Sequence, residues 1–269
     1  MRARRGILLA AATSFILGAA RADAVTGREI LDQARKLDDT TRRWSDRTQK
    51  MVLTVFDAAG NERRRELEVL TKRAGEGEEK AISFFSAPAE VKGTAFLQWS
   101  HAGRDDEQWL YLPEFKRTRQ ISARLRDENF VGTDFTYRDL EILAEIARWS
   151  ESEAPATLEG EESIDGTACW RISLRPQQEG MVYGRIVLWL DKEKLAARKL
   201  DFFDRDGTQR KSLALQEIRD DGPIPTAHRL EMRTLAKGSR TVVDLPEVKY
   251  DTGLEDDLFT QRYLERGAP

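Results

Sequence analysis

The hydrophobic period changes along the chain. Ile30, Leu31, Ala34 and Leu37 recur at helical intervals, and Thr26 precedes them with Glu29 three residues on. At that spacing a threonine hydroxyl and a glutamate carboxylate satisfy backbone amides of a first helical turn. An amphipathic helix is predicted there. From Gln49 the pattern becomes short segments of β-branched and aromatic residues parted by Gly, Asp, Asn and Pro: Met51 to Asp57, Arg64 to Lys72, Lys80 to Ser86, Thr94 to Trp99, Gln108 to Leu112 and Arg117 to Ser122. These read as consecutive antiparallel strands, the first two joined as a hairpin through the Gly-containing link Asp57 to Asn61.

Helical spacing returns at Leu140, Ile142, Leu143 and Ile146, up to Trp149, and Ser150 to Gly160 reads as a polar linker. Strands resume at Ala168 to Leu174, Tyr183 to Asp191, Ala197 to Asp204, Gln209 to Ile218, Thr226 to Leu235 and Arg240 to Tyr250, separated by Asp191-Lys192, Asp204 to Gly207 and Asp221-Gly222-Pro223. Strands so numerous, with so few helices between them, predict a mainly β fold (α+β) built on one large antiparallel sheet. The regular alternation of a doubly wound fold is missing. A sheet of this size must curl or be covered. Segments such as Phe96 to Trp99, Trp109 to Leu112 and Ile186 to Leu190 are apolar on both sides of the pleat. Either ordinary packing on both faces, a helical cover or an apolar cavity accounts for them.

The first residues change the expected compartment. Arg2, Arg4 and Arg5 precede an apolar run from Gly6 to Ala19 and a small-residue exit at Ala22-Asp23-Ala24. That is the layout of a secretory signal peptide (residues 1–24) cleaved after about Ala24, leaving one domain over residues 25–269. With no cysteine at the exit, no lipid anchor is expected, and the protein is placed free in the periplasm. The single cysteine, Cys169, cannot pair within the chain, so stability has to come from a core. Loss of Arg2, Arg4, Arg5, Arg21 and Asp23 takes the formal net charge from −3 to −6. An acidic surface is a poor match for nucleic acid, and the one basic cluster, Arg63 to Arg65, is followed by Glu66 and Glu68.

Few residues carry recognisable chemistry. His101 and His228 lie far apart and off metal-ligand spacing, and nucleophile-elbow, phosphate-loop and dinucleotide motifs are missing. No catalytic residue, metal or cofactor is therefore expected, and Cys169 reads as a small buried side chain on a strand. A glycan hydrolase would need two facing carboxylates, and spacing singles out no pair among 47 acidic side chains.

One stretch stands apart: Trp109-Leu-Tyr-Leu-Pro113, then Arg117-x-Arg119-x-Ile121, then Gly132-Thr-Asp-Phe-Thr-Tyr-Arg-Asp-Leu140. Within it Asp134 or Thr136 can cap the following helix, and Asp134 and Asp139 suit a helix start and its dipole. At these residues the chain resembles the LolA-like family of outer-membrane lipoprotein-sorting proteins. Gly166-x-x-Cys169, Ile186-x-Leu-Trp189-x-Asp191 and the closing Leu258-Phe259 to Leu264 extend the likeness over nearly the whole mature chain. The resemblance implies a fold shared with LolA, LolB and RseB: a curved, unclosed antiparallel barrel whose concave face is covered by helices, with an apolar cavity between them for acyl chains.

On that basis the expected function is a periplasmic carrier with an enclosing apolar site, because each exposed methylene costs about 0.8 kcal/mol in water. Its cargo would be lipid or an acylated lipoprotein, passed from an inner-membrane transporter to an outer-membrane acceptor by a monomer. The alternative is a sensor or adaptor that binds a partner protein or assists a membrane lipid transporter. Candidate cavity residues are Phe84, Leu97, Trp99, Leu110, Leu112, Ile186, Leu188 and Phe202, with Arg117 and Arg119 as headgroup or partner contacts. Gly132, Thr133, Asp134, Phe135, Tyr137 and Asp139 form the family-motif loop.

Overall fold

The computed structural model describes residues 25–75, 77–101 and 103–267. The signal-peptide reading of residues 1–24 lies outside them. Helix α1 (Gly27–Asp39) opens the described chain, and its N-terminus carries the expected capping box: the Thr26 hydroxyl accepts from the Glu29 amide while the Glu29 carboxylate accepts from the Thr26 amide. Six strands follow, β1 (Asp46–Phe56), β2 (Glu62–Gly75), β3 (Glu78–Ala87), β4 (Ala95–Ser100), β5 (Glu107–Leu112) and β6 (Arg117–Gln120). After α2 (Tyr137–Glu145) come β7 (Ala156–Ile164), β8 (Thr167–Leu174), β9 (Tyr183–Asp191), β10 (Ala197–Asp204), β11 (Gln209–Asp221), β12 (Ile224–Thr234) and β13 (Ser239–Tyr250). A short helix α3 (Gln261–Arg266) ends the described chain.

All thirteen strands join one sheet in the order β6-β5-β4-β3-β2-β1-β13-β12-β11-β10-β9-β8-β7. Two meanders, one from each half of the sequence, meet where β1 pairs with β13. The β1–β2 hairpin is set by its turn: the Asp57 carboxylate accepts from the amides of Ala59 and Asn61, and Gly60 supplies the positive φ of 84°. The sheet curls without closing, so β6 and β7 are its free edges.

The polar stretch read as a linker is in part a strand, since residues 156–160 belong to β7. An edge strand has no second neighbour to pack against and is kept polar, which leaves it without the alternation that marks an inner strand. Its edge is approached closely by α1. A Cβ added to Gly27 would lie 2.9 Å from the Leu158 amide nitrogen, so only glycine lets the helix sit there.

The concave face holds the main core. Ile30, Leu31 and Ala34 of α1 and Ile142 and Ile146 of the α2 region pack onto Leu53, Phe85, Phe96, Ile172, Leu200 and Leu213 from across the sheet. The segment linking β6 to β7 carries α2 from one free edge to the other. On the convex face, α3 and the turn at Asp256–Phe259 bury Phe259 and Leu264 against Ile82, Phe84, Ala95, Leu97 and Trp109. This accounts for the two-sided apolarity of β4 and β5. Strand β9 has a different convex cover: Trp189 lies under the Arg171 and Lys199 side chains, 5.7 and 4.4 Å from the ring centre, and donates to Glu162. Stems of long charged side chains shield an apolar strand there.

Candidate functional site

Between α1, α2 and the concave face lies a cavity of about 610 Å³. That is within the range of about 300–1,000 Å³ common for small-molecule sites. Leu31 and Ala34 line it from α1, Leu140 and Leu143 from α2, and Met51, Val69, Leu215 and Leu230 from the sheet. The last six are only half-buried, because one side of each faces the empty space. The two ends of the cavity are built differently.

One end is plugged by the loop that precedes α2. Phe130 and Phe135 are buried there, and the Phe130 amide donates to the Phe135 carbonyl. Val131 is held at φ 43°, ψ 41°, a left-handed conformation costly for a β-branched residue, and Arg65 of β2 donates to its carbonyl. Asp134 is 2% exposed, and its carboxylate accepts from Ser239 (2.5 Å) and Thr241 (2.8 Å) at the start of β13. Its carbonyl accepts from the Lys211 ammonium at 2.8 Å.

Asp139 is fully buried and occupies the third position of α2. It accepts from the Thr136 amide at 2.7 Å, closing a second capping box, from the Tyr183 hydroxyl at 2.7 Å and from Lys211 at 2.5 Å. Burial, followed by the Asp139 charge, pushes the Tyr183 phenol well above its ordinary range, so Tyr183 stays a donor. A buried ion pair with every remaining polar atom bonded fixes the loop in one geometry.

The other end opens to solvent past Asp39 and Ala147, both exposed. Trp44 is buried at this rim, with the guanidinium of Arg47 5.0 Å and that of Arg73 4.4 Å from its ring centre, and the Tyr250 ring 5.9 Å away. The C-terminal half of α2 reaches the same end. Outside the cavity, where Glu141 of α2 pairs with Arg126 at 3.1 Å, burial outweighs the neighbouring Arg126 and Arg138 and pushes Glu141 up to about 7. Burial, with the Asp106 carboxylate beside it, also holds Glu145 well above its ordinary range.

A family model described as "Uncharacterized protein" matches residues 77–266. The chain belongs to that family. No curated protein matches the chain. Among solved structures, an outer membrane lipoprotein-sorting protein domain from Vibrio parahaemolyticus is 28% identical with a TM-score of 0.81, covering 89% of this chain and 98% of its own. A DUF1329 family protein from Desulfovibrio piger is 26% identical, also at a TM-score of 0.81, with 88% and 97% covered. A LolA superfamily protein from Nitrosomonas europaea, 21% identical, shares the fold at a TM-score of 0.64 over 89% of this chain and all of its own. The LolA-like resemblance read from the motifs is thereby shown, and this family member has the LolA-like open barrel.

In this member of the family, the residues singled out by sequence fall into three places. Leu188 lines the cavity. Leu110, Leu112, Ile186 and Phe202 share its face but lie toward the plugged end, within or against the packed core. Phe84, Leu97 and Trp99 are on the opposite face: the first two are buried beneath α3, and the Trp99 indole donates to the Phe259 carbonyl at 3.0 Å. Strand side chains alternate faces, so a one-residue difference in parity moves a side chain from cavity to convex cover. Arg117 and Arg119 are exposed on edge strand β6, away from the cavity. Charged side chains at a free edge discourage further strand pairing.

The motif residues Thr133, Asp134, Phe135, Tyr137 and Asp139 come together in the plug, all nearly inaccessible, with Gly132 beside Arg65. Cys169 is buried on the convex side of β8 against Val187 and Trp189. Sequence reasoning missed Trp44 and the rim arginines, which carry no local signal. It also missed Lys211, although a signal was there: Lys211 has the parity of Leu213 and Leu215, and a lysine on an apolar face requires a buried carboxylate.

Proposed function

We propose that this protein is a periplasmic carrier that takes acyl chains of lipid or lipoprotein cargo into the cavity and moves them toward the outer membrane. The observation that carries this reading is the cavity itself: aliphatic side chains from both helices and the sheet surround an unfilled space that is plugged at one end and open at the other. Filling it removes hydrocarbon from water at about 0.8 kcal/mol per methylene, the term a carrier must supply. Similarity to a lipoprotein-sorting protein domain over nearly the whole chain supports the same reading.

The carrier acts without chemistry. Cargo enters between the C-terminal part of α1 and the end of α2, and the plug keeps the far end shut. Donor and acceptor at the two membranes are the partners this role requires. Purification from the native envelope, followed by solvent extraction and mass spectrometry, tests it. Stoichiometric acylated lipid or lipoprotein is expected; a lipid-free protein that captures only a protein partner would overturn it in favour of an adaptor.

A further inference from the structure

The cavity is lined by more arginines than carboxylates, and several of those arginines lack an ion-pair partner among the described residues. Five arginines line the cavity, Arg35, Arg42, Arg47, Arg73 and Arg148, against three carboxylates, Asp38, Asp39 and Glu79. Arg35 pairs with Asp32 at 3.2 Å, and Arg42 with Asp38 at 3.6 Å, with a further bond to the Lys194 carbonyl. The other three have no carboxylate within salt-bridge distance among the described residues. Arg73 donates only to the Asp38 carbonyl, at 3.2 Å. The Nε atoms of Arg47 and Arg73 are buried and have no hydrogen-bond partner.

Such an arrangement is unfavourable without a ligand. Buried donors are nearly always satisfied, and one left without a partner keeps its full desolvation penalty. Here two guanidiniums lie over one indole; burial first and then the like charge of Arg148 hold Arg73 below its ordinary range, against the opposite pull of Glu79, Asp39 and Asp38. Stacking on Trp44 fixes the planes of Arg47 and Arg73 without using their N–H donors. A guanidinium so held is preorganised for the bidentate recognition that suits phosphate oxygens.

We propose that Arg47, Arg73 and Arg148 form a headgroup site for an anionic phospholipid, whose phosphate they hold at the rim of the cavity while its acyl chains fill the space beyond Trp44. This rests on the carrier reading and adds the charge class of the cargo. The aliphatic cavity takes the chains of any lipid; the arginines select those with a net negative headgroup.

Purified full chain, freed of bound lipid, is incubated with vesicles of pure phosphatidylglycerol or pure phosphatidylcholine, and protein-bound lipid is counted after the vesicles are removed. The wild type is expected to take up phosphatidylglycerol in preference by at least about tenfold, the worth of one charge-assisted contact. The Arg73→Gln/Arg148→Gln double variant, its folding checked by thermal melting, is expected to take up both lipids alike. If that variant fails to fold, Arg148→Gln alone should lower the preference several-fold, as should raising salt for the wild type.

Equal uptake of both lipids by the wild type would overturn the headgroup site and leave the carrier reading standing. Uptake of neither would overturn the headgroup site and free phospholipid as the cargo, while the carrier reading itself stands or falls on the cargo found in the native envelope. Full displacement of bound phosphatidylglycerol by equimolar inorganic phosphate would also overturn the assignment, since phosphate cannot supply the acyl chains.

Discussion

The two ends of the cavity contain similar side chains arranged to opposite effect. At the plugged end, Lys211 is matched by Asp139, and Asp139 by Tyr183 and the Thr136 amide, so a buried charge is fully compensated. At the open end, Arg47 and Arg73 share an indole and have unbonded Nε atoms, and Arg148 stands next to Arg73 without a carboxylate of its own. Satisfied polar groups rigidify, whereas unsatisfied ones are available to a ligand. The contrast separates the part of the barrel that maintains shape from the part that can exchange contents.

Asp139→Ala should break the comparison most severely. It strands the Lys211 ammonium and removes the α2 capping box, and should cost about 3–5 kcal/mol in urea unfolding. A loss below about 1 kcal/mol would mean the plug is not what fixes this end. Leucine truncations sharpen the same contrast. Leu213, fully buried near the plug, should cost about 2–5 kcal/mol on change to Ala. Leu215, two residues on and half-buried against the empty cavity, should cost less than half as much, because its removal enlarges a space that already exists. Equal losses would show that the cavity is closed over in solution.

The part of α2 that lies outside the cavity, with Arg126 and Asp106, should make stability depend on pH. The folded value of Glu141, about 7, is above its ordinary 4.5, so its contribution is fully present below about pH 4.5 and is lost as pH rises through 7. Glu145, raised by the same cause, extends the loss to higher pH. Stability is expected to fall by about 1–2 kcal/mol between pH 5 and 8, discounted for the residual solvent contact of these groups. Thermal melts across that range should flatten in Glu141→Gln. An unchanged slope in the variant would remove Glu141 from the explanation.

The smallest expected difference concerns single arginines. Arg65→Gln, at the plug, takes away the donor to the Val131 carbonyl and should cost about 1 kcal/mol. Arg148→Gln, at the rim, should stay within about 0.5 kcal/mol of wild type in the same denaturation assay. If the order were reversed, the rim arginine would be structural.

Most of the fold was legible in the sequence. Period-two stretches bounded by Asp, Gly and Pro located β1 to β6 and β8 to β13; Thr26 with Glu29 marked the start of α1, and of the two caps open for α2, Asp134 or Thr136, the structure uses Thr136. These signals are local: a cap needs partners three residues away, and a strand shows its alternation wherever it lies. Edge strand β7 escaped because Leu158, Gly160 and its glutamates show no apolar face. Helix α3 is too short for its period to register, although Leu258, Phe259 and Leu264 marked its segment through the family likeness.

What the sequence by itself determined was therefore the inventory of elements, the antiparallel character of the sheet and the presence of surplus apolar surface on β4, β5 and β9. Only the tertiary structure decided which face each side chain occupies and which end of the barrel it reaches. Phe84 and Phe85 are neighbours in sequence, yet one is under α3 and the other faces the concave core. Trp44, Arg73 and Arg148 lie far apart along the chain and meet at one rim. Facing depends on register and proximity on the curl of the whole sheet, and both are set by long-range pairing that no local pattern encodes.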